Sequence, residues 1–295
     1  MSQQVIIVGA GGFIGRSLVA EFSKFEEYDI LQVFRSTYEV SGVSYNYNNI
    51  CEVPLLPRAI VYFVAWGGTV GVEARSDHNV QISNVTTLMD WYLHAKAKES
   101  FRFIYTGSIY EIETLPDLFY PANDFAYKPT NVYGAAKIAA AVMLSSIASK
   151  DLPLIIVRIG NIVGVGGDDK RLLNWLIQSA LNENEIKLSS GEQLYDFLHI
   201  SDAQRALRLL GINVLSSNIY NLSSGKPKKL KLYLMEALRL LNYENIEDCF
   251  QRNIHIPDRL TPAVFDTSCL RKDTGFVPNM SFKDSVKELI KYYST

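Results

Sequence analysis

Tyr133-Gly-Ala-Ala-Lys137 sets a phenol and an ammonium four residues apart. On a helix that spacing stacks both side chains on one face. A neighbouring ammonium favours the tyrosinate and lowers a pKa that is ordinarily about 10. Tyrosine so placed can act as a general acid or base near neutrality. With 17 tyrosines in the chain a chance match is expected, and Tyr92-Leu-His-Ala-Lys96 is a second one. Position separates the two. Tyr92 precedes an apolar run at 101–106, on a segment that reads as a crossover helix with Lys96 and Lys98 toward solvent. Tyr133 follows that run and a long loop. The run leaves through Tyr105-Thr106-Gly107-Ser108, and alternate residues of an extended segment share a face. Thr106 and Ser108 therefore present two hydroxyls at the carboxyl end of a strand. The plainer reading of Thr-Gly-Ser is ordinary turn chemistry.

A second chemical signal stands at the start of the chain. The run Val5-Ile-Ile-Val8 meets Gly9-Ala10-Gly11-Gly12-Phe13-Ile14-Gly15, and a segment with helical apolar spacing follows. That is a strand, a tight turn and a helix N-terminus, whose free N–H groups and positive dipole end favour a pyrophosphate. Glycines let the phosphate approach the backbone and the helix approach its strand. The second strand, 30–34, ends in Arg35-Ser36-Thr37, where NAD-binding folds usually carry an acid for the ribose hydroxyls. A guanidinium and a hydroxyl suit a 2′-phosphate instead. NADP is the expected cofactor, with NAD as second choice.

These residues need elements to position them. Apolar runs at 5–8, 30–34, 59–65, 101–106 and 154–159 alternate with helical patterns at about 13–24, 76–98 and 131–149. Such alternation implies a parallel sheet with helices on both faces and ligands outside the strands' carboxyl ends. Beyond about residue 160 the pattern loosens into a loop at 164–169, helices at 170–182, 201–211, 229–242 and 281–293, and short extended pieces at 186–198. The expected fold is α/β, a Rossmann-type doubly wound parallel sheet with a smaller mixed α/β C-terminal substrate lobe. The dinucleotide-binding domain is expected at 1–163, with 196–222 crossing back to it. The substrate lobe takes 164–195 and 223–295.

Composition sets limits. The 295 residues are 48% hydrophobic and 20% charged with a net charge of −2, an ordinary globule with no general pull toward nucleic acid or anionic membrane. Three cysteines, Cys51, Cys249 and Cys269, lie too far apart for a zinc knuckle or disulfide framework. His78, His94, His199 and His255 show no metal-like spacing, so no metal is expected. No stretch approaches the ~20 apolar residues that cross a bilayer. The first apolar run has no basic segment before it, so it reads as a core strand and the protein as cytoplasmic.

Gly9-x-x-Gly12-x-x-Gly15 resembles the phosphate loop of the extended short-chain dehydrogenase/reductases, the superfamily of sugar-nucleotide epimerases, dehydratases and ketoreductases. Other ordered segments resemble it too. Val61-Tyr-Phe-Val-Ala65-Trp66 is similar to its fourth strand, with Trp66 bulkier than the usual alanine, and Asn84-Val85 to its Asn-Val helix. Arg158-Ile-Gly-Asn161-Ile-Val-Gly164 resembles its exit into the sugar-nucleotide site, and Tyr195-Asp196-Phe197-Leu-His199 the segment that follows. Tyr220-Asn-Leu-Ser-Ser-Gly-Lys-Pro227 matches the loop after that. The resemblance implies Tyr133, Lys137 and Thr106 as catalytic residues. It implies Ser108, Asn161 and Tyr195 at the substrate. At the cofactor it implies Gly9, Gly12, Phe13, Ile14, Gly15, Arg35, Ser36, Asn49, Ala65, Asn84 and Lys137.

Two departures matter. Gly107-Ser108 replaces the Asp-Glu pair of the dehydratases, which argues against water elimination. Tyr195 stands where the family often has an arginine that clamps the nucleotide diphosphate, so another cation must serve. Lys226, Lys228, Lys229 and Lys231 form a basic cluster that could equally be a solvated loop, and Arg171 and Arg259 are further candidates. The implied activity is NADPH-dependent reduction of a keto group, at C4, of a nucleotide-linked deoxysugar. Tyr133 would protonate the forming alkoxide, Lys137 hold the nicotinamide ribose, and Thr106 orient the carbonyl oxygen. The alternatives are an NAD-dependent nucleotide-sugar epimerase, a reductase of a small non-nucleotide carbonyl compound, and a non-catalytic NADP-binding regulator. A homodimer is expected through the helices at 78–98 and 132–149, where Leu88, Met89, Trp91, Val142 and Met143 supply apolar surface that core packing could also use.

Overall fold

The structure, a computed structural model, describes residues 2–35, 44–46, 49–111, 119–120, 129, 131–251 and 264–295. Val5, Ile6, Ile7 and Val8 are wholly buried, so the first apolar run is a strand covered on both faces, as a central parallel strand must be. It belongs to a seven-stranded sheet. The strands are β1 (Gln3–Val8), β2 (Tyr28–Phe34), β3 (Ser44–Asn46), β4 (Ile60–Phe63), β5 (Arg102–Ser108), β6 (Leu154–Ile159) and β7 (Ile219–Leu222). All pairs are parallel, in the order β7-β6-β5-β4-β1-β2-β3. The winding reverses between β1 and β4, and a crevice opens there at the carboxyl ends.

Helices cover both faces. On one, α1 (Phe13–Phe22) packs against the helix Ile200–Ile212, over a core that includes Val5, Ile7, Leu18 and Leu207. The other face carries α2 (Val72–Ser76), α3 (His78–Ala97) and α4 (Val132–Ile147), with Leu88, Trp91, Tyr92 and Leu144 in its core. Caps fix where these helices start. The Asp77 carboxylate accepts from Asn79 N at 3.0 Å and Val80 N at 3.1 Å, and the Asn131 side chain accepts from Gly134 N at 2.8 Å. The second cap places Tyr133 in the first turn of α4.

The smaller lobe has its own core from α5 (Leu172–Leu181), α7 (Leu230–Leu240) and α9 (Phe282–Tyr293), including Leu176, Leu234 and Leu289. Between α5 and α7 lies α6, the Ile200–Ile212 helix that returns to the sheet. Short strands link the lobe: Leu194–Tyr195 pairs antiparallel with Lys228–Lys229, and Phe197–His199 pairs parallel with Asn161–Val163. Helix α8 (Ser268–Thr274) sits against α6, and Leu270 and Phe276 join the sheet core. Among the described residues no helix is long and apolar enough to cross a membrane.

Some expectations change. Ile219–Leu222, read as the start of a loop, is the edge strand β7, because Tyr220 and Leu222 are buried against β6. Tyr92 is buried, and its hydroxyl donates to Leu152 O at 3.1 Å. Lys96 is exposed, so those two form no catalytic pair. Leu88 and Trp91 are spent in the core, whereas Val142 and Met143 stay exposed on α4, with Ile82 and Leu93 exposed on α3.

Candidate active site

A cleft of about 840 Å³ opens over the carboxyl ends of the strands. At one end lies the glycine turn. Gly9 has φ of +95°, and a Cβ there would sit 2.7 Å from the Ala65 backbone. At Gly15 a Cβ would come within 2.1 Å of Gly9 O, so the helix reaches the turn only without a side chain. No side chain caps the N-terminus of α1, and its first turn holds no acid. The N–H groups of Phe13, Ile14 and Gly15 therefore have no partner within the helix. This is a cradle for a pyrophosphate.

Arg35 lies exposed at the end of β2 and lines the same cleft. Its Nη1 would be 3.5 Å from a Cβ on Gly67. Asn84 clamps that glycine from both sides, accepting from Gly67 N at 2.9 Å and donating to Gly67 O at 3.0 Å. Asn84 thus shapes the turn after β4. Ala65 also lines the cleft. Asn49 does not, being exposed and donating to Glu52 Oε1 at 3.2 Å. Ser36, Arg259 and His255 lie outside the described residues.

The middle of the cleft holds the Tyr/Lys pair. Lys137 is 2% exposed; its Nζ donates to Thr106 O at 2.8 Å and lies 3.6 Å from the Trp66 ring centroid. Trp66 is fixed in turn, since its Nε1 donates to Gln81 Oε1 at 2.8 Å. Burial lowers the Lys137 pKa to about 7, against the pull of the Glu111 charge. Burial pushes the Tyr133 phenol up to about 12, while a hydrogen bond with Ser108 and the Arg75 charge act the other way. The expected depression of Tyr133 by Lys137 is therefore corrected. In this geometry the ammonium is spent on a carbonyl and an indole, 5.9 Å from the Tyr133 ring centroid. Of the two hydroxyls on β5, Ser108 touches Tyr133 and Thr106 Oγ1 donates to Phe63 O at 3.3 Å.

The far end of the cleft is lined by Asn161, Tyr195, Lys170, Arg171 and Arg75. Arg75, which no motif of the sequence marks, donates to Thr69 O at 2.9 Å and to the Tyr110 hydroxyl at 2.8 Å. Its guanidinium is 6.0 Å from the Tyr133 ring centroid. Arg171 donates to Ile162 O at 3.3 Å, and its buried Nε has no partner among the described residues. Asp196 orients the neighbouring loop by accepting from Ser223 Oγ and Gly225 N, both at 2.8 Å. The Lys226–Lys231 cluster points elsewhere: Lys229 meets Glu192 at 2.8 Å and Lys231 meets Glu247 at 2.7 Å. His199 Nε2 meets Glu288 at 2.9 Å and His199 Nδ1 meets Ser201 Oγ at 2.7 Å, a helix-capping arrangement.

Two residues of the site carry signals the sequence offered only indirectly. Glu111 closes the turn Ile109–Glu111, and its carboxylate fills the place of a side chain at Gly107. Arg75 is a charge on a short helix with no acid to pair with among the described residues.

Compared with known proteins, residues 5–223 match the NAD dependent epimerase/dehydratase family. The chain is 22% identical to dTDP-glucose 4,6-dehydratase 1 of Escherichia coli, over 98% of this chain and 92% of that one. Its fold superposes at TM-score 0.83 and 18% identity on RMD of Pseudomonas aeruginosa complexed with NADPH, covering 99% of each chain. It superposes at TM-score 0.83 and 16% identity on UDP-glucose 4-epimerase of Thermotoga maritima with UDP-glucose, again over 99% of each.

Proposed function

The chain belongs to the NAD dependent epimerase/dehydratase family, as an NAD(P)-dependent enzyme of the extended short-chain kind, and we propose that it reduces the C4 keto group of a nucleotide-linked deoxysugar with NADPH. One observation carries the reading. The Tyr133/Lys137 pair sits in a cleft whose described lining holds four further basic side chains, Arg35, Arg75, Lys170 and Arg171, and no carboxylate. A chain of net charge −2 that gathers cations around a Tyr/Lys pair is suited to polyanionic ligands, such as a phosphorylated dinucleotide and a nucleoside diphosphate.

The residues at the glycine turn would hold the pyrophosphate on the α1 N–H groups, with Arg35 at the adenosine ribose and its 2′-phosphate. Bound in that way, the nicotinamide supplies the hydride. Tyr133 would donate its proton to the oxygen of the reduced carbonyl. A phenol held well above neutrality by burial is a protonated acid across the physiological range. Ser108 and Thr106 would orient that oxygen, and Lys137 would hold the nicotinamide ribose. Gly107-Ser108 leaves this site without the acidic pair that elimination requires.

Arg35→Ser is expected to weaken NADPH about 10- to 100-fold, the size of a lost charge-assisted contact. NADH should be little changed. Fluorescence titration of both cofactors checks it, and equal losses for both would remove the 2′-phosphate role. At the other end, Arg171 stands in for the arginine that Tyr195 replaces. Arg171→Gln should weaken UDP or dTDP by about 10-fold or more in calorimetry, with NADPH affinity kept. Unchanged affinity for both diphosphates would return the question to other cations.

The activity is tested by following NADPH oxidation over a panel of 4-keto nucleotide sugars. Steady oxidation with one of them supports the reading. Interconversion of nucleotide hexoses at C4 with no net consumption would instead make the protein an epimerase, a reading favoured by the exposure of Arg35 at the end of β2. A homodimer through α3 and α4 is also proposed, with Ile82, Leu93, Val142 and Met143 as the exposed apolar residues.

A further inference from the structure

We propose that Glu111 is a positioning residue that joins the three elements of the active site through one buried carboxylate. The proposal rests on the reading of Tyr133 and Lys137 as the reacting pair. Glu111 is wholly buried in the turn after β5. Its Oε1 accepts from Ser108 N at 2.6 Å, and its Oε2 meets Arg158 Nε of β6 at 3.1 Å with both side chains inaccessible. A Cβ on Gly107 would lie 2.5 Å from Oε1, so the strand exit is free of a side chain where the carboxylate enters.

The helix that carries Tyr133 and Lys137 packs on the same turn. A Cβ on Gly134 would come within 2.5 Å of Tyr110 O. The carboxylate contacts Ser108 N on β5 and Arg158 on β6, and its charge acts on Tyr105 of β5 and on Tyr133 and Lys137 of α4. Burial raises the Glu111 carboxyl above the usual carboxylate range, and Arg158 and the Ser108 N–H oppose that rise by favouring its charged form. The carboxylate in turn opposes the effect of burial on Lys137, whose ammonium otherwise meets, among the described residues, the Thr106 carbonyl and the rings of Trp66, Tyr105 and Tyr133. Removing the negative charge should let burial act on Lys137 unopposed, and its pKa should fall below the value of about 7.

The experiment is a pH titration of the whole chain carrying lysine labelled with carbon-13 at Cε, without cofactor or substrate. Lys137 is identified by its missing resonance in Lys137→Met. In Glu111→Gln the Lys137 midpoint should move down by about one unit or more, the size expected for loss of a nearby opposite charge. Other lysines should not move. Because Glu111→Gln takes a carboxylate from the buried Arg158, the double variant Glu111→Gln/Arg158→Met removes both charges and guards against misfolding. Gly107→Ala displaces the carboxylate without altering any charge. Both should move Lys137 in the same direction. An unmoved Lys137 midpoint in folded Glu111→Gln would overturn the proposal. The titration reads Lys137 without turnover, so it succeeds or fails independently of the ketoreductase assignment.

Discussion

Tyr133→Phe should lose about 10³-fold in turnover, within the range that general acid catalysis supplies, while NADPH affinity stays as it was. The change removes one oxygen and keeps the ring. Edge contacts to Tyr110 at 5.7 Å and Trp66 at 6.4 Å survive, so the pocket is not emptied. Among the described residues, Ser108 loses a partner. The check is stopped-flow reduction beside equilibrium NADPH titration of the same preparation. Full turnover in the variant would take the acid role away from Tyr133 and leave Ser108 and Thr106 to be tried. Weakened cofactor binding would mean that the phenol holds ligand as well as proton.

Gly15→Ala should be the most damaging small substitution at the cofactor end. Its methyl would lie 2.1 Å from Gly9 O and 2.8 Å from Ala10 Cα, both backbone atoms that cannot swing aside. Relief requires α1 to move away from β1 and carry its N–H groups off the phosphate position. Overpacking of this sort costs about 1–3 kcal/mol, sometimes more. Loss of the preorganised cradle should abolish measurable NADPH and NADH binding. Gly12→Ala is the control, because its nearest contact is a milder 3.3 Å. Thermal unfolding with and without cofactor reads both effects. A Gly15→Ala protein that binds NADPH normally would mean that the turn adjusts at little cost.

The sequence made the framework legible because the framework is periodic. Apolar runs of Val5–Val8 type are short, unbroken and bounded by turn residues, and buried parallel strands leave that trace. Helix α4 was readable for the same reason, and its cap at Asn131 explains its start. The Tyr133/Lys137 pair was found by spacing and then separated from Tyr92/Lys96 by its place after β5; burial of Tyr92 in the core agrees with that choice. Edge strand β7 was missed because Ile219–Leu222 is only four residues long and its pairing to β6 is non-local. Glu111 leaves only an indirect trace because its charged partner, Arg158, comes from β6, 47 residues away in sequence. The pKa expectation for Tyr133 failed for a related reason. Spacing predicts that Lys137 shares a helix face with the phenol, but not that Thr106 O and Trp66 take up its ammonium.

On the proposed function, this cleft takes up NADPH, uses it and releases it. The most direct test is to denature freshly purified protein, identify any dinucleotide set free, and titrate the remainder with NADPH and NADH. Trp66 in the cleft wall provides a fluorescence donor for bound reduced cofactor. The expected result is protein free of stoichiometric dinucleotide that binds NADPH at least about 10-fold more tightly than NADH, as one charge-assisted contact at Arg35 would give. Stoichiometric NAD that resists exchange would contradict it and mark an enzyme that oxidises and re-reduces a single substrate.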